Sequence, residues 1–337
     1  MAQRVSMEDV AKRLGVSKYA VSLAMRGLPG IGGETRSRIL KEAEDMGYVY
    51  KRGAGGEDEN NIKNICIIIS KNVRESEGFF EYIQYGIEKE ARANKINCIV
   101  FCCDEGSDGY EVPLSLKQKM VCGVIVVGGI ERSYISELKK YNISIVIVDH
   151  YFEDALADCV LTDNINGAFS AVSYLIELGH TEIGFCGDIY EAPSFFDRWL
   201  GYVKALKRFN IEHREALYIK SPEAWNPKAA MPTAIICCND KNAIELVKLC
   251  GLKGIRIPQD VSVIGFDDIP SAARITPELT TVRVMKEEMG VKALRRVLSR
   301  MGDPGDAGQN IIIPTRIIKR KSAAGLNIKT EGSPKGE

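Results

Sequence analysis

Carboxylate and amide side chains follow three of the apolar runs in this sequence. Asp149 comes after "ISIVIV", Asn239 after "AIICC" and Asp267 after "VSVIGF". Because carboxylate and amide groups offer several hydrogen-bonding sites each, they suit the vicinal hydroxyls of a polyol or sugar. The neighbouring pair Asp267 and Asp268 would also suit acid–base chemistry, but no nucleophile or metal-ligand set accompanies it. The pattern therefore favours binding of a small polar ligand over its chemical conversion.

The other groups with catalytic or metal-binding potential do not form a recognised set. The three histidines, His150, His180 and His213, lack metal-ligand spacing, and His180, just before a predicted strand, is interpreted as structural. The ten cysteines lie mostly in apolar runs without a CxxC motif, as expected of reduced, buried thiols. No GxxxxGK[ST] occurs, and no GxGxxG follows a strand. We predict no cofactor, no metal and no enzyme activity.

The elements that would position these groups alternate between apolar strands and amphipathic helices. Strands are predicted at 63–69, 96–101, 123–127, 144–148, 158–162, 182–186, 233–238 and 261–265, and helices at 79–93, 131–140, 164–178, 195–209 and 240–250. This alternation is typical of parallel sheets covered by helices on both faces. Because it restarts near Cys159, it predicts two doubly wound α/β lobes with a cleft between them. Sheets of this kind bind ligands at the carboxyl ends of their strands.

The first 50 residues differ from the rest in charge and in pattern. Residues 1–52 hold ten basic and six acidic side chains, a net charge of +4, so the remainder of the balanced chain carries −4. A basic head on an acidic body indicates a polyanionic partner for the head. Three short helices are predicted, with Ser6 and Ser17 as caps and a turn at Gly15. They form a helix-turn-helix, for which a small helical bundle with a charged face is the alternative.

Length and hydropathy set further limits. A chain of 337 residues has room for two or three domains. No apolar run approaches the roughly 18 residues of a membrane span, and no apolar segment follows the first charges. We therefore predict no membrane association and a cytoplasmic location.

The segments "MEDVAKRLGVSKYAVSLAMRG" and "ETRSRILKEAEDMGY" resemble the N-terminal signature of the lactose-repressor (LacI/GalR) family of bacterial transcription regulators. The resemblance continues to about residue 322 through "LTDNINGAFSAVSYLIELGHTEIGFCGD", "RWLGYVKAL", "PTAIICCND", "IPQDVSVIGFDDIPSAARITPELTTVR" and "IPTRIIKRKS". It implies an all-α helix-turn-helix head followed by a periplasmic-binding-protein-like α/β domain of two lobes. It also implies a homodimer that binds operator DNA.

The resemblance also assigns residues that meet DNA. The implied base contacts come from Lys18, Tyr19 and Leu23, the implied phosphate contacts from Ser6, Ser17, Ser22 and Thr35, and Arg26 belongs to the same exposed face. The family often has Thr, Arg and Asn where this chain has Ala20, Leu23 and Arg26. The operator is therefore expected to differ from the commonest family sequence.

For the effector, the resemblance implies one site between the lobes. Its implied contacts are Phe79 or Phe80, Asp149, Arg198 in "DRWLGY", Asn239 and Asp267, with Trp225 as an aromatic wall. A guanidinium adds a fixed fork of donors and aromatic faces cover the CH side of a sugar ring, so a sugar or related metabolite is expected. One of the two phenylalanines is expected in the core. Arg198 has the alternative of pairing with Asp197 or another nearby carboxylate, and Asp163 is interpreted as a helix cap.

Two stretches depart from the family pattern. The linker "SPEAWNPKAAMP", residues 221–232, has three prolines and is too short for the family's usual crossover helix, which predicts a reshaped effector cleft. In "KRGAGGEDENN", Glu57 stands where the family's hinge helix has Leu, and three glycines each disfavour helix by about 0.8–1.0 kcal/mol. We predict that this stretch stays a flexible tether on DNA, with weak bending. A helix rescued by dimer packing is the rival hypothesis.

These observations predict a sequence-specific transcription regulator, acting as a repressor whose operator affinity follows a small-molecule effector. The predicted parts are a DNA-binding head at 1–50, a Gly-rich acidic linker at 51–62, an effector-binding and dimerisation domain at 63–322, and a polar, disordered tail at 323–337. Within the domain, lobe 1 covers 63–157 with a C-terminal crossover segment, and lobe 2 covers 158–285. The alternatives are a sugar-binding protein with a vestigial head and, third, an enzyme with a regulatory head.

Overall fold

The computed structural model of the chain describes residues 5–26, 31–48, 63–70, 78–103, 105–106, 109–152, 154, 157–302 and 307–326. The chain divides into two compact units, which meet in sequence at residue 62 and are here called the head and the body. In these ranges, no helix has both the length and the apolar character needed to cross a bilayer. The linker at 51–62, with its predicted tether, lies outside the described residues.

The head is a three-helix unit. Its helices are α1 (Met7–Leu14), α2 (Lys18–Arg26) and α3 (Gly33–Asp45). A capping box begins α1, because Asp9 N–H donates to the Ser6 hydroxyl at 3.3 Å and Ser6 N–H donates to the Asp9 carboxylate at 2.8 Å. Gly15 ends α1 with φ of 66°, a conformation that favours glycine. One buried residue set from all three helices forms the core: Val10, Ala11, Val21, Ala24, Ile39 and Ala43.

The body alternates strands and helices along the chain. In order, its elements are β1 (Lys63–Ser70), α4 (Phe80–Ala93), β2 (Ile96–Cys103), β3 (Glu105–Gly106), β4 (Gly109–Tyr110), α5 (Leu114–Lys117), β5 (Gly123–Val127), α6 (Arg132–Lys139), β6 (Ser144–Val148), β7 (Asp158–Thr162), α7 (Asn164–Glu177), β8 (Ile183–Cys186), α8 (Pro193–Arg208), β9 (Tyr218–Ile219), β10 (Ala234–Cys237), α9 (Asp240–Leu252), β11 (Ser262–Asp267), β12 (Thr280–Arg283), α10 (Lys286–Gly302), β13 (Asn310–Ile313) and β14 (Arg316–Ile318). Short 3-10 turns occur at Glu215–Leu217, Pro222–Ala224 and Pro270–Ala273.

Two six-stranded sheets organise these elements into two lobes. The first has the strand order β13-β7-β6-β5-β1-β2 and is parallel throughout. The second has the order β14-β12-β11-β10-β8-β9, in which only β14 runs antiparallel. Every residue of β5 is buried, as expected when helices cover both faces of a parallel sheet. The doubly wound α/β fold predicted from the sequence is confirmed.

The structure corrects the predicted start of lobe 2. The strand at 158–162 belongs to the first sheet, where Val146 of β6 lies opposite Asp158 and Ile311 of β13 lies opposite Val160. The chain therefore enters lobe 2 only after β7. The prediction was wrong because a buried parallel strand has the same continuous apolar pattern in either sheet.

The chain returns to lobe 1 at α10, a helix that was not among those predicted from the sequence. Gly86 of α4 and Gly290 of α10 let the two helix backbones approach closely. A Cβ added at Gly86 would lie 2.1 Å from the Glu287 carbonyl oxygen, and one at Gly290 would lie 2.1 Å from the Ile83 carbonyl oxygen. The start of α10 is thus held against lobe 1 directly after the chain leaves β12.

The beginning of the predicted tail is ordered, which corrects the boundary at 323. Ala323 is buried, Ala324 N–H donates to the Ser262 hydroxyl at 3.1 Å, and the Ala324 carbonyl lies 2.9 Å from Nε2 of His180. Nδ1 of His180 lies 3.0 Å from the Thr233 hydroxyl. His180 is therefore a structural residue, as the sequence predicted. Residues 327–337 lie outside the described part of the chain.

The linker at 221–232 contains a single 3-10 turn and no crossover helix. Trp225 ends that turn and is only 4% exposed, packed in a cluster with Leu246 and Cys250. Lys253 Nζ donates to the Trp225 carbonyl at 2.9 Å. The indole ring of Trp225 therefore packs on α9. The linker 221–232 joins β9 to β10 without a helix.

Candidate functional site

The second helix of the head presents two of the predicted base-reading side chains. Lys18 and Tyr19 are both exposed at the start of α2, Tyr19 at 72%. A basic and an aromatic side chain one residue apart at the N-terminal end of a helix suit entry into a major groove. Leu23, the third predicted base contact, is only 8% exposed, so its side chain is not presented at the surface of the head as those of Lys18 and Tyr19 are. The side chain of Arg26 lies outside the described part.

The predicted phosphate-binding hydroxyls have local partners. The Ser6 hydroxyl donates to Asp9 at 2.6 Å, and the Ser17 hydroxyl accepts from Ala20 N–H at 3.1 Å. Ser22 and Thr35 are half-buried. Ser6 and Ser17 thus cap helices whose N-terminal ends are exposed, and backbone N–H groups at such ends can also meet a phosphate.

In the body, Arg198 of α8 is the centre of a buried polar cluster. Its side chain is 2% exposed. Nε donates to Asn164 Oδ1 at 2.9 Å, Nη1 donates to the Cys238 carbonyl at 2.6 Å, and Nη2 lies 3.1 Å from Asp267 Oδ1. The guanidinium also lies 3.9 Å from the centroid of the Phe266 ring. Each guanidinium nitrogen thus has a protein partner, and the carboxylate that Arg198 pairs with is Asp267 and not Asp197.

The loop after β11 holds Asp267 in place through its main chain. Asp267 and Asp268 both have positive φ, 114° and 52°. Lys286, the first residue of α10, donates to the Asp267 carbonyl and, at 3.1 Å, to the Asp268 carbonyl. Burial raises the pKa of Asp267, although the positive charge of Arg198 opposes this. A strained loop fixed from two sides indicates a functional role for the carboxylate it carries.

Asp240 supports the same loop from inside lobe 2. It is fully buried, with Oδ2 accepting from Ile269 N–H at 2.9 Å and Oδ1 accepting from the Thr281 hydroxyl at 2.5 Å. Burial raises the pKa of Asp240 to about 8, and the nearby charge of Asp267 adds to the effect. Asp240 therefore positions the loop without facing the cleft.

Asp149 approaches this cluster from lobe 1. It ends β6 with φ of 62°, and its N–H donates to the Val160 carbonyl at 3.0 Å. Burial raises the pKa of Asp149 to about 7, with Arg198 opposing and Asp267 reinforcing the shift. Asp149 lines one recess with Asn164, the amide that accepts from Arg198, so Asp149, Arg198 and Asp267 belong to one site although they come from both lobes. The strand ends that carry Asp149 and Asp267 therefore converge, as the sequence predicted, and Arg198 joins them from α8.

A narrow recess between the lobes adjoins Asp149. Its walls are Asp149, Tyr151, Leu161, Asn164, Ser194 and Asp197. The Tyr151 hydroxyl donates to Asp197 at 3.2 Å, which joins lobe 1 to lobe 2. At another point of the rim, a Cβ at Gly78 would lie 2.7 Å from Pro270 Cδ, so the lobes are in close contact there as well.

The aromatic residues predicted for the site differ in their positions. Phe79 precedes α4 and is buried, with its ring centroid 5.6 Å from Lys286 Nζ, and Phe80 is half-buried with its ring 4.8 Å from that of Phe79. Phe79 is thus the core residue of the pair, though its ring face lies under the ammonium group of Lys286, the lysine that fixes the Asp267 loop. The prediction that Trp225 forms an aromatic wall of the cleft was wrong, because its ring lies in the core of lobe 2.

Asn239 lies beside the cluster and faces a separate depression. It caps α9, because its Oδ1 accepts from Asn242 N–H at 2.8 Å, and it directly follows Cys238. It also lines an open depression on lobe 2 of about 400 Å³. The structure therefore brings Asn239 next to the Arg198 cluster, with its side chain turned toward that depression.

Sequence reasoning missed two residues that build the site, Asn164 and Lys286. Asn164 follows Asp163 in "LTDN", where Asp163 caps α7 by accepting from Asn166 N–H at 3.2 Å. Because Asn164 follows a helix cap at the carboxyl end of a strand, its position in the sequence could have indicated a site residue. Lys286 gave no such signal, because it begins a helix that no predicted strand precedes.

The charges of the site favour a particular ligand chemistry. Three carboxylates, Asp149, Asp197 and Asp267, face two cations, Arg198 and Lys286, which are both held by protein acceptors. The carboxylates accept hydrogen bonds and the guanidinium of Arg198 donates them. Such a site suits the hydroxyl groups of a ligand, which can both donate and accept. Within the described ranges, no group of His, Cys, Asp and Glu is arranged to hold a metal ion.

Curated relatives match 95% of the chain. Residues 172–323 match the family described as a periplasmic binding protein-like domain. The chain is 30% identical to the HTH-type transcriptional repressor PurR of Pectobacterium carotovorum, over 95% of this chain and 97% of that protein. It is 25% identical to the ribose operon repressor of Haemophilus influenzae, over 95% of this chain and 99% of that protein. A solved structure of a LacI family transcriptional regulator from Enterococcus faecium with bound ribose is 26% identical, with a TM-score of 0.67 over 78% of this chain and 100% of that chain.

Proposed function

The chain belongs to the LacI/GalR family of bacterial transcription regulators, and we propose that it is a cytoplasmic, homodimeric repressor whose operator affinity is set by a neutral, hydroxyl-rich effector. The head reads a pseudo-palindromic operator through Lys18 and Tyr19. The cleft between the lobes binds the effector and releases it chemically unchanged. The effector is a sugar or a close relative of one.

The observation that carries this proposal is the group of Asp149, Arg198 and Asp267 between the lobes. Arg198 lies 3.1 Å from Asp267, and Asp149 reaches the same site from the other lobe. A ligand with adjacent hydroxyls can donate to the two carboxylates and accept from the unused N–H bonds of the guanidinium. Such a ligand contacts both lobes at once and stabilises their closed arrangement.

The same charges argue against an anionic effector. Above the raised pKa of Asp149, about 7, a phosphate or carboxylate ligand would meet the carboxylates of Asp149 and Asp197, while Arg198 is already paired with Asp267. Like charges in a poorly solvated site repel strongly. We therefore expect neutral sugars to bind, and sugar phosphates and uronates to be rejected.

Coupling to DNA follows from the contacts that cross between the lobes. Lys286 begins α10, which packs on lobe 1, yet it donates to the main chain of the effector loop in lobe 2. A ligand that pulls on Asp267 thus acts at the point where the chain crosses between lobes. An effector changes operator affinity only to the extent that it binds the closed and open lobe arrangements unequally.

A ligand panel tests the chemical class of the effector. The melting temperature of the full chain is measured with D-ribose, D-glucose and D-galactose, with their phosphates and uronates, and with nucleobases. At least one neutral sugar should raise the melting temperature, and Asp149→Ala should abolish that rise. Asp260→Ala, which removes a carboxylate paired with Arg256 on lobe 2 outside the site, is the matched control. A rise with a phosphate or uronate and none with a neutral sugar would overturn the proposed class.

A further inference from the structure

The outer face of α8 differs from that of the helix beside it. On α7, which packs against α8 on lobe 2, the exposed side chains are those of Asn166, Ser170 and Glu177, and all three are polar. On α8 the exposed side chains include Phe196 at 38% and Leu200 at 36%. A helix that covers a sheet and faces only water is expected to expose polar residues, as α7 does. The apolar surface of α8 therefore indicates contact with another molecule.

This apolar surface runs along about two turns of α8. Phe196, Leu200 and Val203 lie four and three residues apart, so they share one side of the helix. Trp199 widens this side, because its half-buried ring stacks on that of Phe196 with the ring centroids 5.8 Å apart. Since the two rings already hold each other, covering them costs little side-chain entropy. We call Phe196, Trp199, Leu200 and Val203 the α8 face.

Charged side chains are unevenly placed around the α8 face. Lys204, Lys207 and Arg208 are exposed at the C-terminal end of α8, whereas Glu191 is exposed just before its N-terminal end. Asp197, the only acidic residue within α8, lines the recess between the lobes instead. The α8 face is thus basic at one end and acidic at the other. Such a face is complementary to its own copy when the two helices run in opposite directions.

A two-fold axis through Leu200 sets the residues that meet across such a contact. Arg208 lies about 12 Å beyond Leu200 along the helix, and Pro193, the first residue of α8, lies about 10.5 Å before it. In an antiparallel pair, Arg208 of each copy therefore lies beside the N-terminal end of the other α8, where Glu191 is exposed. A parallel pair would bring the cations of both copies together, which is unfavourable.

The α8 face is the second apolar helix face of the body. On lobe 1, α4 exposes Tyr82 and Tyr85, and it packs against α10, whereas α8 packs against α7 on lobe 2. A homodimer needs one face that pairs with its own copy. Two such faces on one chain generate a tetramer made of two dimers.

We propose that the α8 faces of two homodimers pack against each other, antiparallel about a two-fold axis, and join the dimers into a tetramer. The occupant of the α8 face is thus a second copy of this chain. The inference goes beyond the proposed function and takes from it only the homodimer.

Sedimentation velocity of the full chain, without DNA, tests the tetramer. At micromolar concentration the wild type should sediment as four chains of 37.2 kDa. Leu200→Glu places a charge at the centre of the α8 face and should raise the dissociation constant of the tetramer by about tenfold or more, which leaves dimers. Tyr141→Glu, at a residue of lobe 1 that is also 36% exposed, is the matched control and should keep the tetramer.

A charge swap tests the antiparallel arrangement. Arg208→Glu and Glu191→Arg should each raise the dissociation constant at least about threefold, because two symmetry-related pairs become repulsive. The double variant should restore the wild-type constant, because each new arginine then faces a new glutamate across the axis. A merely structural role of either residue would give no such rescue.

The remaining outcomes contradict the inference. A wild type that stays dimeric would overturn it, whatever other molecule covers the α8 face, and so would a tetramer that persists in Leu200→Glu. Monomers in Leu200→Glu would make the α8 face the homodimer interface itself and would overturn the joining of two dimers. If Leu200→Glu does not fold, the charge swap decides, and absence of rescue contradicts the pairing. Operator and effector binding are measured separately, so these results leave that part of the proposed function untouched.

Discussion

Replacement of Asp240 by Asn is expected to stabilise lobe 2, although it changes a buried carboxyl group that makes two good hydrogen bonds. Burial raises the pKa of Asp240 to about 8, so the carboxyl is mostly protonated in the folded protein at pH 7. Asn reproduces a protonated carboxyl: its oxygen can accept from Ile269 N–H and its amide can donate to the Thr281 hydroxyl oxygen. Asp240→Asn therefore keeps both contacts and removes the cost of protonating this group on folding.

The sign and size of the pH effect follow from linkage. The folded pKa of about 8 lies above the ordinary value of 3.8, so folding takes up a proton between these two values and wild-type stability falls as pH rises through this window. Between pH 6 and pH 8 the loss is about 1 kcal/mol per pH unit, roughly 2 kcal/mol in all. Asp240→Asn lacks this loss. Asp240→Ala leaves Ile269 N–H and the Thr281 hydroxyl unpaired at about 1–3 kcal/mol each, so it should be less stable than Asp240→Asn by roughly 2–6 kcal/mol.

Urea unfolding followed by tryptophan fluorescence measures these differences. The chain has two tryptophans, Trp199 on α8 and Trp225 after β9, and both report on lobe 2. Asp260→Asn, at an exposed pair with Arg256, is the control and should change stability by at most about 1 kcal/mol. If Asp240→Asn were destabilised equally at pH 6 and pH 8, Asp240 would be ionised in the folded protein and the reasoning would be refuted.

Three further predictions concern the head, the helix contact in lobe 1 and the linker. Lys18→Ala and Tyr19→Ala should each cost about 1–3 kcal/mol of operator discrimination, measured by gel shift; equal losses on random DNA would contradict base readout. Gly86→Ala should lower the free energy of unfolding by about 1–3 kcal/mol, because its Cβ would lie 2.1 Å from a main-chain oxygen of α10, whereas Gly251→Ala, with nothing within 4 Å, should not destabilise; equal effects would refute the close packing. One or two base pairs inserted between half-sites should weaken binding less than about tenfold if 51–62 is a tether, and a steep loss with strong operator bending would favour a hinge helix.

Residues at strand ends were predictable because topology alone brings them together. Asp149, Asn239 and Asp267 each follow a continuous apolar run, and the carboxyl ends of parallel strands share one edge of a sheet. The family resemblance added Arg198, whose contacts with Asn164 and Cys238 now explain why a guanidinium is needed there. Neither source of prediction depended on side-chain packing.

Features that depend on packing between distant segments could not be predicted in this way. β7 has the same apolar pattern in either lobe, so only its pairing with β6 places it in the first sheet. Trp225 fits a ligand wall as well as a core by its type, and its burial follows from the missing helix around it. Lys286 lies at the start of a helix. It fixes the loop at 267–268 only because the two carbonyl groups of that loop point toward the lysine ammonium group.

The central claim is that one neutral ligand, held by Asp149, Arg198 and Asp267, controls DNA binding. The most direct measurement is the fluorescence anisotropy of labelled operator titrated with full-length protein, with and without the sugar that raises the melting temperature. We predict a change in operator Kd of about tenfold or more in the wild type, equivalent to a coupling of about 1.4 kcal/mol, and a change below about twofold in Asp149→Ala and Asp267→Asn. Bound sugar that leaves the wild-type Kd unaltered, or variants that respond as the wild type does, would contradict the account.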